Sequence, residues 1–202
     1  MLTEDDAKTF ERCMSVGGIA VFPADTVYGL ACDPDDKDAV QRLYLLKRRP
    51  PEKRAAVLFF DRELALAALP ELGPRTRAAV EALTPGGVTL LVPNPAGRFP
   101  LAAGETLGLR VPALGEAAAA LGEVRWPVLQ SSANLSGGAD PRRLDEVDAR
   151  LRDAADLVLD AGELPGTPST VIDLTAYELD GTWSIVREGA VSRDDVGRAL
   201  QA

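Results

Sequence analysis

The chain has 202 residues, 46% hydrophobic and 26% charged, with a formal net charge of −9 and no histidine. Those values suit one globular domain over residues 1–202 and exclude Ser-His-Asp and Cys-His catalysis and any His-ligated metalloprotease. Cys13 and Cys32 cannot build a disulfide framework or a zinc site by themselves, no apolar run nears the ~20 residues that cross a bilayer, and the acidic N-terminus has no signal core, so a reduced cytoplasm away from membranes is expected.

Thr3 and Asp6 are spaced as a capping pair, and Leu2, Ala7, Phe10 and Met14 share one helical face that ends at Gly17. Residues 18–22 read as a short buried strand closed by Pro23. The segment 23–30 (Pro-Ala-Asp-Thr-Val-Tyr-Gly-Leu) then favours a capped helix start, with Asp25 or Thr26 as N-cap and Tyr28 in the core. Its alternative is a turn that presents hydroxyls and backbone N–H groups to a ligand.

Residues 36–47 return to helical spacing, with Val40, Leu43, Tyr44 and Leu46 apolar, and the helix ends in a cationic cluster. Lys47, Arg48, Arg49, Lys53 and Arg54 crowd into eight residues with Pro50, Pro51 and Glu52. One or two cations there would merely complement the helix dipole. Five of them on an acidic chain suit a compact polyanion, such as a nucleotide triphosphate, better than a generic nucleic-acid surface. Pro50 disfavours helix at Arg49, which allows Lys47 and Arg49 to converge on neighbouring phosphates.

A second apolar strand is expected over 55–60, then helices near 62–69 and 74–83. Further strands are expected over 88–92, 106–111, 128–131, 157–159, 170–174 and 184–187, and Ser192 with Asp195 caps a closing helix. The Pro- and Gly-rich stretch 94–105 reads as a surface loop. Arg110 sits alone inside the apolar strand Gly-Leu-Arg-Val-Pro, so it makes either an internal salt bridge or a ligand contact. Residues 131–138 (Ser-Ser-Ala-Asn-Leu-Ser-Gly-Gly) leave a strand and allow close approach to phosphate or ribose; the plainer reading is a polar turn into a helix. Residues 162–170 have the same character, and Arg187 adds a cation at a strand end. The pattern is one α/β domain with a twisted mixed sheet flanked by helices and one concave face.

Seven segments, in order, resemble the YrdC-type threonylcarbamoyl-AMP synthase family over nearly the whole chain. They are 23–30 (Pro-Thr-Asp-Thr-Val-Tyr-Gly-Leu in the family), 47–50 (Lys-Gly-Arg-Pro), 85–91 (Pro-Gly-Pro-x-Thr-Leu), 108–112 (Gly-Val-Arg-x-Pro), 132–137 (Ser-Ala-Asn-x-Ser-Gly), 169–173 (Ser-Thr-Val-x-Asp) and 186–189 (Leu-Arg-Pro-Gly). The resemblance implies a YrdC-like fold and condensation of L-threonine, bicarbonate or CO2, and ATP into L-threonylcarbamoyl-AMP and pyrophosphate. The product serves threonylcarbamoyladenosine modification of tRNA, through separate transfer proteins in the short bacterial form that this chain resembles. By motif, Thr26 and Arg110, with Ser169 nearby, would hold threonine. Lys47, Arg49, Thr106, Ser132, Asn134 and Arg187 would hold the nucleotide, with Lys53 also reaching ATP. Lys47 and Arg49 would act catalytically, and Mg²⁺ would bridge the phosphates without a protein metal site.

The sequence departs from the family pattern in several places. A histidine common after the basic motif is replaced by Leu58 or its neighbours Phe59 and Phe60; Pro168 stands for a Glu, Glu188 for a Pro, and Lys53-Arg54 for a polar-Pro pair; the serine after the Ser-Ala-Asn segment aligns near Asp140. Two alternatives remain from sequence: a carbamoyl-adenylate former that uses another amine or carbamoyl phosphate, and a double-stranded-RNA-binding paralogue. A pI near 4.6 permits at most weak RNA binding.

Overall fold

The computed structural model describes residues 1–201. Nine strands form one mixed sheet: β1 (Ala20–Pro23), β2 (Tyr28–Cys32), β3 (Ala56–Leu58), β4 (Val88–Pro93), β5 (Thr106–Arg110), β6 (Val128–Ser132), β7 (Leu157–Val158), β8 (Thr170–Asp173) and β9 (Ser184–Arg187). Their spatial order is β7-β1-β2-β6-β3-β5-β4-β8-β9. β1–β7, β3–β5 and β4–β8 are parallel pairs, and the other five are antiparallel. Seven helices, α1 (Glu4–Ser15), α2 (Lys37–Lys47), α3 (Arg62–Ala68), α4 (Pro74–Leu83), α5 (Ala149–Ala154), α6 (Tyr177–Asp180) and α7 (Arg193–Ala199), flank it, with a 3-10 helix over Glu116–Glu123.

Local chemistry explains the helix starts. Thr3 Oγ1 accepts from the Asp6 amide while Asp6 accepts from the Thr3 amide, and Asp36, Asp61 and Ser192 cap α2, α3 and α7 through their side chains. Two expectations fail. The segment after Pro23 does not enter a helix: Asp25 and Thr26 lie in a tight turn, and Tyr28–Cys32 is a fully buried strand that pairs with β1 and β6. It lacks the alternation of a half-exposed strand because both of its faces are covered, so periodicity hid it. Residues 131–138 run from the end of β6 into a turn that does not enter a helix; a short 3-10 turn at Leu144–Glu146 comes before α5.

Strand alternation divides the core into two layers. Ile19, Val21, Leu30, Val57, Leu90, Leu107, Leu109, Leu129 and Ile172 point to one face, under side chains of α2, α3, α4, α5 and α7. Ala20, Phe22, Ala31, Leu58 and Val128 point to the other, under α1 and Ala118 and Leu121 of the 3-10 helix. Phe10, Phe22 and Phe60 knit this smaller layer, with ring centroids 5.3–6.0 Å apart. The smaller layer covers only part of its face, from β1 as far as one end of β6 and β3. Beyond it, the residues that alternate with the first core on β3, β4, β5, β6 and β8 line an open cavity. No helix of the described residues is long and apolar enough to cross a membrane.

Candidate active site

The cavity measures about 360 Å³, within the usual range for small-molecule sites. β5 contributes Thr106, Gly108 and Arg110, β4 contributes Thr89 and Leu91, and β6 contributes Gln130, Ser131 and Ser132. Thr26 enters from the β1–β2 turn, Ser169 and Arg187 from the β8–β9 edge, and Arg49, Glu52 and Arg54 from the loop after α2. Gly108 keeps the floor low: a Cβ there would meet Ala56 at 3.4 Å.

Of the two contacts that its sequence context left open, Arg110 makes the internal salt bridge. Its Nη2 donates to Asp25 Oδ1 at 2.6 Å and Nη1 to Gln130 Oε1 at 3.0 Å, with both members of the ion pair about 5% exposed. Burial pulls the Arg110 guanidinium down and pushes the Asp25 carboxyl up, each opposed by the partner's charge. Arg110 is therefore not a water-solvated cation waiting for a ligand. It is a fixed internal pair that still lines the cavity, and its Nε has no protein partner. Thr26 Oγ1 is likewise buried without a partner. Buried polar atoms are nearly always bonded, and two of the six unpartnered side-chain atoms among the described residues belong to residues that line this cavity.

At the opposite edge, Thr89 and Ser169 share a 2.8 Å hydroxyl–hydroxyl bond, and Arg187 Nη2 donates to Ser169 O at 2.7 Å and to Ser169 Oγ at 3.2 Å. Gly189 permits this close strand end, since a Cβ there would lie 2.3 Å from Pro168 O.

The basic segment divides in an unexpected way. Arg48 takes a left-handed conformation (φ 51°), so the chain leaves the helix between Lys47 and Arg49. Lys47 turns inward, 1% exposed, and its ammonium donates to Ser132 O, to Asn134 O (2.7 Å) and to Asn134 Oδ1 (3.1 Å). Burial, reinforced by Arg49, lowers it to about 8. Its own carbonyl accepts from the Ser136 amide at 2.9 Å, so Lys47 clasps the 132–136 turn from both ends. Arg49 donates to Ser131 Oγ at 3.3 Å, Lys53 O at 2.6 Å and Arg54 O at 2.8 Å.

Of the residues singled out from sequence, Thr26, Arg49, Thr106, Arg110, Ser132, Ser169 and Arg187 line this one cavity. Lys47 and Asn134 sit just behind it: Asn134 accepts from Ser132 Oγ at 2.8 Å and donates to Gly138 O and Asp140. Lys53 is exposed and offers its backbone to the site rather than its charge. Leu58, Phe59 and Phe60, the three candidates for the position of the family's histidine, are all buried, and Leu58 pairs in register with Arg110 while packing in the smaller core layer. The site also holds Thr89, Gln130 and Asp25, which the sequence does not single out as ligand contacts, and Arg54, which it marks only as a member of the cation cluster. Thr89 and Asp25 lie within motif segments, whereas nothing local marks Gln130.

A mixed sheet packed on one face and open on half of the other, over a cavity of arginines and hydroxyls, defines an α/β domain built for a compact anionic ligand. The chain belongs to the Sua5/YciO/YrdC family, whose model, described as telomere recombination, matches residues 12–189. It is 35% identical over 175 residues to the threonylcarbamoyl-AMP synthase of Stenotrophomonas maltophilia, covering 82% of this chain and 89% of that protein. The structure of P. abyssi Sua5 complexed with L-threonine matches with a TM-score of 0.84 at 26% identity, covering 98% of this chain. This chain spans 58% of that Sua5 chain. E. coli YciO matches with a TM-score of 0.79 at 27% identity over 97% of this chain and 95% of its own.

Proposed function

We propose that the chain is an L-threonylcarbamoyladenylate synthase, an adenylyltransferase that condenses L-threonine, bicarbonate or CO2, and ATP into L-threonylcarbamoyl-AMP and pyrophosphate. The observation that carries this reading is the convergence of the motif segments on one cavity. The unpartnered buried atoms Thr26 Oγ1 and Arg110 Nε belong to its lining, together with arginines and hydroxyls from distant segments. Similarity to relatives that bear that name supports the same reading.

In this reading the threonine amine, once deprotonated, adds to the carbon of CO2. A carbamate oxygen then attacks the α-phosphorus, and the α–β bridging bond breaks as pyrophosphate leaves. The substrates supply every nucleophile, so a histidine-free site needs only alignment and charge neutralisation. Thr26, Arg110 and Ser169 would receive threonine, with Asp25 fixing the guanidinium. Arg49, Thr106, Ser132, Asn134 and Arg187 would receive the nucleotide, with Lys53 at the rim. Lys47 would act through the turn it clasps, by holding Ser132 and Asn134 in place.

Mg²⁺ is proposed as a phosphate-borne ion. Among the described residues no three Asp, Glu or Cys side chains gather as ligands, and the lining carboxylates are Glu52 and Asp140 alone. That donor set fits a hard cation held chiefly by phosphate oxygens and water. The product would pass to separate proteins that modify tRNA, in the cytoplasm. The test is pyrophosphate release by purified protein with Mg²⁺: it should require ATP, threonine and bicarbonate together. Release that is indifferent to threonine would defeat the proposal.

A further inference from the structure

The cations of the cavity differ in what their N–H groups already hold. Arg110 is engaged by Asp25 and Gln130, Arg187 by Ser169, and Arg49 by two carbonyls and Ser131. Arg54 also lines the cavity, yet among the described residues its guanidinium makes no hydrogen bond and no ion pair. Its backbone, by contrast, is held on both sides. Lys53 O accepts from Arg49 Nε at 2.6 Å and from Tyr44 OH at 3.4 Å, Arg54 O accepts from Arg49 Nη2 at 2.8 Å, and the Ala55 amide donates to Tyr44 OH at 2.9 Å. Arg49 also lies against the Tyr44 ring, 5.9 Å from its centroid.

The guanidinium lies close against the bare backbone of Gly104. A Cβ on Gly104 would come within 3.1–3.2 Å of Arg54 Cζ, Nη1 and Nη2. Gly104 is itself fixed by its carbonyl, which accepts from Asn94 Nδ2 at 2.8 Å. A cation on an anchored backbone, seated against an anchored glycine and facing a cavity, is preorganised for an anion.

We propose that Arg54 is a polyphosphate-binding residue of this site, taking the terminal phosphates of a nucleoside triphosphate and the pyrophosphate derived from them. Arg49 then has a second task, since it builds the loop that presents Arg54. The five donors of a planar guanidinium suit two adjacent phosphate groups, which a lysine's point charge does not match. This inference rests on the proposed adenylation only for its choice of triphosphate; the anion site stands on the geometry.

Isothermal titration of inorganic pyrophosphate, ATP and AMP into wild-type protein, Arg54→Ala and Arg54→Lys tests it. Arg54→Ala should raise the pyrophosphate and ATP Kd by about tenfold or more, the loss of a charge-assisted contact, and leave AMP affinity and Tm unchanged. Arg54→Lys should recover only part of the affinity. Wild-type pyrophosphate affinity in Arg54→Ala overturns the inference, as does a wild-type protein that binds neither pyrophosphate nor ATP. Arg54-dependent pyrophosphate binding by a protein that makes no threonylcarbamoyl-AMP would defeat the proposed function and leave this inference standing.

Discussion

Replacing Asp25 with alanine removes the one carboxylate that pairs with Arg110. The pair is 2.6 Å long with side chains 5% and 4% exposed, so the guanidinium left behind would keep Gln130 as its only side-chain acceptor. Stripping one partner from such a buried pair costs about 3–5 kcal/mol, because the remaining charge stays desolvated and unpaired. At ~2–4 °C per kcal/mol for a chain of this size, Tm should fall by about 6–20 °C. Arg110→Ala should cost a comparable amount for the mirror-image reason. Asp25→Leu/Arg110→Met, which removes both charges and keeps volume, should lose far less than the two single losses added together. Thermal melts and urea titrations of the four proteins measure this directly. Additive losses, or an Asp25→Ala protein that melts with wild type, would show that the pair carries no coupling and that water solvates Arg110 after all.

Thr26→Val replaces an unpartnered buried hydroxyl by a methyl of similar shape. Stability should hold or rise slightly while the threonine KM rises and the ATP KM stays put; a marked loss of Tm would contradict the ligand-facing assignment. Burial sets Lys47 near 8, below the free value of 10.5, so the unfolded chain binds more protons than the folded one between those values. The stability difference between wild type and Lys47→Met should therefore shift in favour of wild type as pH rises from about 8 to 10.5; a difference that is flat with pH would refute the assignment.

The helices were legible because their signals are local. The Thr3–Asp6 and Ser192–Asp195 caps and the apolar spacing of α2 each involve residues within a few positions of one another. β2 was not, since its five residues are buried on both faces and follow two good N-cap residues. The site's membership was legible as motifs, but its wiring was not. Arg110 meets Asp25 across 85 positions of chain, and Lys47 meets Asn134 across 87. No periodicity encodes such contacts. The cation cluster suggested that Lys47 and Arg49 converge on phosphates with Lys53 beside them, whereas packing turned Lys47 inward, tied Arg49 to the Lys53 and Arg54 carbonyls and left Arg54 lining the cavity.

The most direct measurement is mass spectrometry of the nucleotide products after incubating purified wild-type protein with ATP, Mg²⁺, L-threonine and ¹³C-bicarbonate. A threonylcarbamoyl-AMP that carries the label in its carbamoyl group, together with pyrophosphate, is the predicted result. ATP left intact, or cleaved without incorporation of threonine and labelled carbon, would contradict the account.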